Sequence, residues 1–392
     1  MRALLLLFAL VLSHIQDTQL PADLIYATTI TEAGEPHKAF VRVDAVTLQT
    51  SLFYVDDATS IRPLSWSPQL NYLAFLRYSS GGRYWEVCLL TRDGTLHTCL
   101  EDRIVDHFFS YRGAAYNVTW SPDERHIYFV ADYATFNWQT ELHESDPGEP
   151  EIWSASLLEA DVQTGQTVRT IYQTPAREEQ PPPLIYWSPD LRYIRTVVPG
   201  QGLVVIDLLD EASHELPGEI EGVGSLSYCP WFSPHGSYLS AVVYGESRTA
   251  LGLAIIDAHG TIIQVIGADR LAEIDAARPG CPVWHETGVY FVDGVLTNGG
   301  YDEHTTHSLL AYSLAEDRLA RVKQIDPPEA ADPAARINRP GQRIKPAASD
   351  PRYVALSFTN RIFENEFRVL TPDGTWLRFL PADGRYPIWV EP

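Results

Sequence analysis

Short apolar runs alternate with polar turns along nearly the whole chain. Runs such as residues 71–76, 126–130, 193–198, 238–243 and 289–292 are rich in β-branched and aromatic residues, and Gly, Asp or Asn residues separate them from the next run. Runs of this length, composition and spacing are typical of antiparallel β-strands. The pattern therefore predicts an all-β protein.

A short phrase centred on an aromatic residue recurs ahead of these runs. Four clear copies end at Pro68, Pro122, Pro189 and Pro234, and three weaker copies contain Trp284, Ala348 and Trp389. A turn and three further strands follow each of the first six copies, so that one unit has four strands. Repetition of a four-stranded unit predicts a β-propeller in which each unit forms one blade.

The two ends of the chain together supply one more blade. Three strand-like runs, 24–29, 39–44 and 51–55, come before the first phrase, and the last phrase, 386–389, has no strands after it. Pairing these ends would close the ring and remove free sheet edges. Six internal blades and this shared blade predict a seven-bladed propeller, and an open stack with a ragged terminal strand is the alternative.

The phrase resembles the Trp-Ser-Pro-Asp-Gly repeat of TolB-like, WD-repeat-like propellers, and of the propellers attached to prolyl-oligopeptidase-type enzymes. Pro122-Asp123 matches this repeat, Gln69 and Glu286 depart from it, and Ala348 in place of tryptophan predicts an irregular sixth blade. The resemblance covers the chain from about residue 24 onward. It implies the fold, and the TolB likeness implies participation in complexes of the cell envelope.

The apolar run at residues 3–12 concerns the location of the protein. It follows Arg2, is too short to span a bilayer and is typical of a secretory signal with cleavage after Ser13. We therefore predict a signal peptide over residues 1–13, a single propeller domain over 14–392, and export to the periplasm, the cell surface or the medium. A mis-assigned start or an uncleaved anchor is the alternative.

The formal net charge of −22 restricts the partners. A chain this acidic repels phosphate backbones and anionic membrane surfaces. We therefore expect no nucleic-acid partner and no stable membrane insertion. A protein, a peptide or a glycan is the expected partner.

The four cysteines form two geometrically sensible pairs. A hairpin turn at Asp93-Gly94 would set Cys88 opposite Cys99, and Cys229 and Cys281 occupy the same position in consecutive repeats. Directly opposed strand residues lie within disulfide range. Two disulfides are predicted for an exported chain, with four buried free thiols as the alternative.

The strand order separates the connections by face. Those on one face, the plain face, are short turns, whereas those on the other, the looped face, are long and cover residues 77–85, 101–117, 131–151, 173–184, 293–308 and 326–343. Binding residues concentrate on long loops. We therefore predict the binding surface on the looped face, at the entrance to the central channel.

Residues just ahead of the phrases should ring that entrance, the channel mouth. They are Arg62, Tyr116, Tyr228, Arg343, Lys345, Arg385 and Tyr386. Guanidinium groups bind carboxylates bidentately and stack on aromatic rings. The channel mouth is therefore predicted to bind an anionic group, such as a peptide carboxylate or an acidic glycan. Ion pairing of these cations with acidic loop residues is the alternative.

Two of the long loops carry further candidates. Tyr133, Phe136 and Trp138 stand beside an acidic stretch and suit contact with a peptide or a sugar, or else form a small core over the channel. A metal site is a weaker prediction for Asp302, Glu303, His304 and His307, whose imidazole and carboxylate groups are zinc ligands. A plain polar loop is the alternative there.

Signatures of catalysis are scarce in the sequence. It contains no G-x-S-x-G elbow, no P-loop and no dinucleotide fingerprint, and we expect no cofactor. The first hypothesis is a non-catalytic exported binding propeller. The alternatives are a propeller enzyme of the lyase, hydrolase or lactonase type with a site at the channel mouth, and an inert structural component.

Overall fold

The computed structural model describes most of the chain. The described residues are 19–78, 84–105, 118–135, 152–175, 177–178, 184–246, 249–286, 288–293, 307–325, 344–359, 365–379 and 385–391. Within them the protein is a ring of seven antiparallel β-sheets around a central channel. The prediction of an all-β, seven-bladed propeller is confirmed.

The first half of the ring follows the order of the chain. The shared blade contributes β1 (Leu24–Glu32), β2 (Glu35–Val43) and β3 (Thr50–Asp56). Blade one contains β4 (Ser60–Trp66), β5 (Tyr72–Tyr78), β6 (Tyr84–Thr91) and β7 (Leu96–Val105). Blade two contains β8 (Val118–Trp120), β9 (His126–Thr135), β10 (Ile152–Asp161), β11 (Thr167–Gln173) and the short β12 (Arg177–Glu178). Blade three contains β13 (Tyr186–Trp187), β14 (Tyr193–Val198), β15 (Gly202–Asp207) and β16 (Ala212–Glu215).

The second half repeats the pattern. Blade four contains β17 (Glu219–Ile220), β18 (Gly224–Phe232), β19 (Tyr238–Tyr244), β20 (Ala250–Asp257) and β21 (Ile262–Ile266), and helix α1 (Ala268–Ala272) follows it. Blade five contains β22 (Val283–His285), β23 (Gly288–Val292), β24 (His307–Ser313) and β25 (Arg318–Ile325). Blade six contains β26 (Ile344–Pro346), β27 (Val354–Thr359), β28 (Asn365–Leu370) and β29 (Trp376–Arg378). The last strand, β30 (Arg385–Trp389), is the inner strand of the shared blade.

The ring is closed by strands from the two ends of the chain. Strand β30 pairs antiparallel with β1, with Leu24 opposite Trp389 and Ile25 opposite Ile388. Trp389 is buried, with 5% of its surface exposed. Blade six has the same four-stranded order as its neighbours, so the expected irregularity is wrong. Its inner strand ends at Pro346 and does not require the aromatic residue that Ala348 replaces.

In the four clear copies, the Ser-Pro part of the phrase forms the turn that ends the inner strand. In blade two the amide of His126 donates to the Ser121 hydroxyl at 3.0 Å, and this hydroxyl donates to the Asp123 carboxylate at 2.6 Å. Serine and aspartate side chains thus replace the backbone partners that the chain loses as it reverses direction. The phrase therefore fixes both the end of one strand and the start of the next.

The aromatic residue of the phrase ties neighbouring blades together. The indole N–H of Trp120 donates to the Ser65 hydroxyl at 3.0 Å, and that of Trp187 donates to the Thr119 hydroxyl at 2.9 Å. In both cases the acceptor directly precedes the tryptophan of the preceding blade. The repeat therefore encodes a hydrogen bond across the seam between blades as well as apolar packing.

The same rule explains two buried indole groups without an acceptor. Within the described residues, the N–H groups of Trp66 and Trp284 have no hydrogen-bond partner. The position that would supply the acceptor holds Ile388 for Trp66 and Trp231 for Trp284. Neither side chain can accept a hydrogen bond, so the two seams lack it.

Turns between the third and fourth strands approach the preceding blade closely. A Cβ atom at Gly94 would lie 2.1 Å from the carbonyl oxygen of Phe53, and one at Gly260 would lie 2.7 Å from that of Glu215. Both glycines also have positive φ angles, +84° and +87°. Only glycine satisfies the backbone angle and the contact together.

Both predicted disulfides are present. Cys88 lies directly opposite Cys99 on strands β6 and β7 and is bonded to it. Cys229 on β18 is bonded to Cys281, just ahead of β22, which links blade four to blade five near the channel. Neither pair leaves a free thiol in the described residues.

Candidate functional site

A cavity of about 270 Å³ lies at the axis of the ring. The inner strands of all seven blades contribute to its wall, from Arg62 and Leu64 on β4 to Tyr386 and Ile388 on β30. None of its lining residues that the structure describes is an aspartate or a glutamate. On so acidic a chain, a wall without carboxylates is a distinct electrostatic environment.

Three predicted residues of the channel mouth meet in this cavity. Lys345, Tyr386 and Arg62 lie on β26, β30 and β4, which are the neighbouring inner strands of blade six, the shared blade and blade one. The guanidinium carbon of Arg62 lies 4.8 Å from the centre of the Tyr386 ring, within cation–π range. Closure of the ring therefore brings together two basic residues that are far apart in the sequence.

The backbone at Tyr386 is unusual. Its φ angle is +52°, in the left-handed region that a tyrosine rarely adopts. The pairing of β30 with β1 shifts register at this point. Such strain, on the order of 1 kcal/mol, persists where the surroundings hold a side chain in a required direction. At this φ angle the Tyr386 ring lies under the guanidinium group of Arg62.

Lys345 is confined by the channel wall. The Lys345 side chain is exposed to solvent along the channel, but the surrounding wall partly desolvates its ammonium group. This desolvation, together with the positive charge of Arg62, lowers the pKa of the Lys345 ammonium to about 8. An anion bound beside Lys345 and Arg62 would favour the charged form of the lysine and so raise its pKa again.

The strand holding Lys345 is anchored by the last tryptophan. The indole N–H of Trp389 donates to the carbonyl oxygen of Lys345 at 2.8 Å. Blade six has no tryptophan in its own phrase, and this bond joins it to the shared blade. The anchor positions the backbone from which the ammonium group projects.

The remainder of the cavity wall is mostly apolar and aromatic. Trp187 and Trp231 line it from blades three and four, across the ring from the basic residues, and Trp284 lines it from blade five, next to blade six. Trp187 and Trp231 stand at or next to the ends of their inner strands, whereas Arg62 stands nearer the start of β4. The channel thus offers charge toward the looped face and ring surfaces toward the plain face, a combination that suits an anionic ligand with an apolar or sugar body.

Arg195 was not singled out from the sequence. It is 3% exposed, donates to the Cys229 carbonyl at 2.5 Å and lies over the Tyr186 ring at 4.2 Å. Burial lowers its pKa to about 10, and its Nε–H has no acceptor in the described part of the chain. The sequence feature that could have indicated it is a single arginine within the otherwise apolar run 193–198.

Tyr228, another predicted residue of the channel mouth, packs in this second basic region. Its ring centre lies 5.8 Å from the guanidinium of Arg195, and its hydroxyl donates to the Pro217 carbonyl at 3.0 Å. It does not line the cavity that holds Lys345. The structure thus places Tyr228 at the seam between blades three and four.

The other candidates lie wholly or partly outside the described residues. Tyr116, Phe136, Trp138, Arg343, Asp302, Glu303 and His304 lie outside them. Tyr133, His307 and Arg385 belong to β9, β24 and β30, but only their backbone is described. The proposed loop contacts and the metal site in that loop therefore stay predictions.

One group of potential metal ligands is accounted for otherwise. Among the described residues, Glu86, Cys88 and Cys99 offer ligand atoms within 4.8 Å of one another. The two cysteines are bonded as a disulfide, so their sulfur atoms are not thiolate ligands. The group is therefore a disulfide bond next to the carboxylate of Glu86.

No helix in the described ranges has the length and apolar character needed to cross a bilayer.

Comparison with known proteins identifies the fold. No protein-family model and no curated protein matches the chain. An acylaminoacyl peptidase from Pyrococcus horikoshii matches with TM-score 0.54 and 12% identity, over 92% of this chain and 51% of its own. An oligogalacturonate lyase from Vibrio parahaemolyticus matches with TM-score 0.50 and 12% identity, over 91% and 85%.

TolB from Acinetobacter baumannii also matches, over 94% of this chain and 82% of its own, with TM-score 0.42 and 10% identity. The chain spans about half the length of the peptidase. At 12% identity, the matches to the peptidase and the lyase show the fold alone, a β-propeller.

Proposed function

We propose that the protein is a binding propeller that captures a carboxylate-bearing segment of a protein or peptide in its central channel. The observation that carries this proposal is the pair Arg62 and Lys345 in one cavity whose described lining contains no carboxylate. A carboxylate can accept hydrogen bonds from both groups, and such charge-assisted bonds are among the strongest in proteins.

The contrast with the rest of the molecule supports specificity. The net charge of −22 repels anions over most of the surface, so an acidic ligand gains attraction only where positive groups are grouped. The aromatic wall from Trp187 to Trp284 supplies contact area for the remainder of the ligand. We expect the long connections of the looped face to add specificity around the channel mouth.

Export is part of the proposal. Two disulfides within a single domain are usual for proteins that work in the periplasm or outside the cell, where thiols oxidise. An acidic exported propeller with a basic channel suits the recognition of an envelope or extracellular protein.

The test uses a fluorescent hexaglutamate peptide, with hexaglutamine as the neutral probe, and anisotropy as the readout. The wild type should bind hexaglutamate in preference to hexaglutamine, and Arg62→Gln with Lys345→Met should weaken this binding about ten-fold or more. Arg352→Gln removes a surface cation paired with Asp350 and should leave binding unchanged. Equal affinity in the double variant and the wild type would refute the proposal. Binding of a fluorescent oligogalacturonate without binding of hexaglutamate, lost in the same double variant, would transfer the site to acidic glycans.

A second candidate is a propeller enzyme of the lyase, hydrolase or lactonase type. The observation favouring it is the pKa of Lys345, lowered to about 8 by burial and by Arg62, because a lysine in this range can act as a general base near neutral pH. Turnover of an acidic oligosaccharide that rises with pH through 8 and is lost in Lys345→Met would support it. Absence of turnover with hexaglutamate binding intact would leave the binding function alone.

A further inference from the structure

Two histidines from neighbouring blades meet on the plain face, remote from the channel cavity. His214 lies on β16 of blade three, and His259 lies in the turn between β20 and β21 of blade four. The Nδ1 atom of His259 is 3.3 Å from the Nε2 atom of His214, and the two rings are nearly perpendicular, with centres 4.7 Å apart. The two nitrogens are within hydrogen-bond distance, so one imidazole donates its N–H to the other.

The seam around the pair is firmly built. The amide of His259 donates to the Asp257 carboxylate at 2.9 Å, which fixes the turn, and the ring of Tyr193 meets the imidazole edge-on at 6.3 Å. The next residue, Gly260, lies so close to the Glu215 carbonyl that no side chain fits between them. The backbone positions of the two histidines are therefore fixed relative to each other.

The separation of the two nitrogens suits a shared cation. Zinc–nitrogen bonds of about 2.0–2.1 Å in a tetrahedral arrangement place two ligand nitrogens about 3.3 Å apart. Imidazole is a ligand that zinc, copper and nickel prefer over magnesium or calcium. His259 is exposed and His214 half-buried, so an ion has access from solvent.

We propose that His214 and His259 form a two-imidazole site for a late transition-metal cation of the zinc class. The described residues supply no third His, Cys, Asp or Glu ligand atom close to both nitrogens, so the other coordination positions are open to water or to a side chain of a bound partner. The net charge of −22 raises the local concentration of cations at the surface.

The bound ion would join blade three to blade four. Since the ligand atoms are held together only in the folded ring, binding stabilises the native state by mass action. The disulfide between Cys229 and Cys281 already joins blade four to blade five. The metal would add a link across the next seam of the ring, between blades three and four, on the plain face.

The experiment is calorimetric titration with ZnCl₂, paired with thermal unfolding in ZnCl₂ and in EDTA. The wild type should bind one equivalent at this site and unfold at a higher temperature in Zn²⁺ than in EDTA, whereas MgCl₂ should have no effect. His214→Ala and His259→Ala should each weaken this binding about ten-fold or more and abolish the thermal shift. In EDTA both variants should unfold at the wild-type temperature, because neither side chain is in the core.

Two controls separate this site from other histidines. His235→Ala removes an exposed imidazole from a neighbouring turn of the same face and should bind as the wild type does. The double variant His304→Ala with His307→Ala removes the candidates of the long loop and should keep the thermal shift. The proposal is overturned by unchanged Zn²⁺ affinity in His214→Ala, by equal loss in His235→Ala, or by loss of the shift in the loop variant.

Discussion

Trp187 donates its indole N–H to the Thr119 hydroxyl at 2.9 Å, across the seam between blades three and two. Trp187 is almost fully buried, so this N–H cannot turn to water if its acceptor is removed. The hydrogen bond thus couples the packing of one blade to the sequence of its neighbour. It also makes the seams of this propeller unequal, since Trp66 and Trp284 lack such a partner in the described residues.

Thr119→Val keeps the shape of the side chain and removes the acceptor. We expect a loss of about 1–3 kcal/mol in the free energy of unfolding, because the buried N–H of Trp187 is left unsatisfied. Urea denaturation followed by tryptophan fluorescence measures this. Thr170→Val, at an exposed position of the outer strand β11, is the matched control and should change little. A loss as large in the control would show that the hydrogen bond has no special role.

The reciprocal change is Ile388→Thr. It places a hydroxyl where the rule for the other seams puts the acceptor for Trp66. The new hydrogen bond should offset much of the lost apolar contact, so this variant should be less destabilised than Ile388→Ala. Urea denaturation midpoints of Ile388→Thr and Ile388→Ala measure the difference in stability. Equal midpoints would contradict the proposal that a hydroxyl at position 388 accepts from Trp66.

The two disulfides should differ in their contribution to stability. Cys229 and Cys281 are separated by 52 residues, and Cys88 and Cys99 by 11. Because a longer loop restricts the unfolded chain more, replacing the first pair by alanine should cost about 4 kcal/mol, and replacing the second about 1 kcal/mol less. Denaturation of the two double variants under non-reducing conditions measures the difference. A larger loss for the hairpin pair would reverse the expected order.

Anion binding in the channel should weaken in alkaline solution. The pKa of the Lys345 ammonium is lowered to about 8 by burial and by Arg62, so the lysine loses its charge as pH rises through this value. A ligand that needs the protonated form should bind about ten-fold more weakly at pH 9 than at pH 7. Anisotropy with hexaglutamate at constant ionic strength measures this. Lys345→Met should bind weakly and without this pH dependence, whereas a catalytic role for the neutral amine would give activity that increases over the same range.

Asp293 should make stability depend on pH in the opposite sense from most carboxylates. Burial raises its pKa to about 6, above the ordinary value of 3.8, although the amide of Ser308 donates to it. The folded state therefore binds the proton more tightly than the unfolded state. The stabilisation from this group is present below pH 4 and is lost as pH rises through 6.

Asp293→Asn imitates the protonated form at every pH. It should raise the free energy of unfolding at pH 7.5, on the order of 2 kcal/mol, and leave it nearly unchanged at pH 4. Differential scanning calorimetry at the two pH values measures this difference. An equal effect at both values would show that the charge of Asp293 is not the cause.

The sequence predicted the ring because its local signals agree with one another. The Ser-Pro-Asp sequence is itself a turn signal, as the hydrogen bond from Ser121 to Asp123 illustrates. The pairing of Leu24 with Trp389 follows from counting strands. Arg62 and Lys345 could be placed at the channel because every inner strand begins at the looped face and runs along the channel. These inferences require only the order of the strands, which can be counted from the repeated phrase.

Features that depend on irregular strands could not be predicted. Strand β18 shifts register between Tyr228 and Phe232, so that counting back from the phrase does not give the direction of the Tyr228 ring. The contact of His214 with His259 depends on how closely two turns of different blades approach, which no repeat pattern records. Arg195 shows the same limit, since its partners Tyr186 and Cys229 come from two different blades.

The pairing of Trp389 with Leu24 sets an order of events during synthesis. At ordinary rates of translation, the residues that separate them take on the order of half a minute to emerge from the ribosome. Throughout that time β1 is without the neighbour that covers it in the finished molecule. Any factor that carries the nascent chain must therefore shield the segment around Ile25 until the final strand arrives.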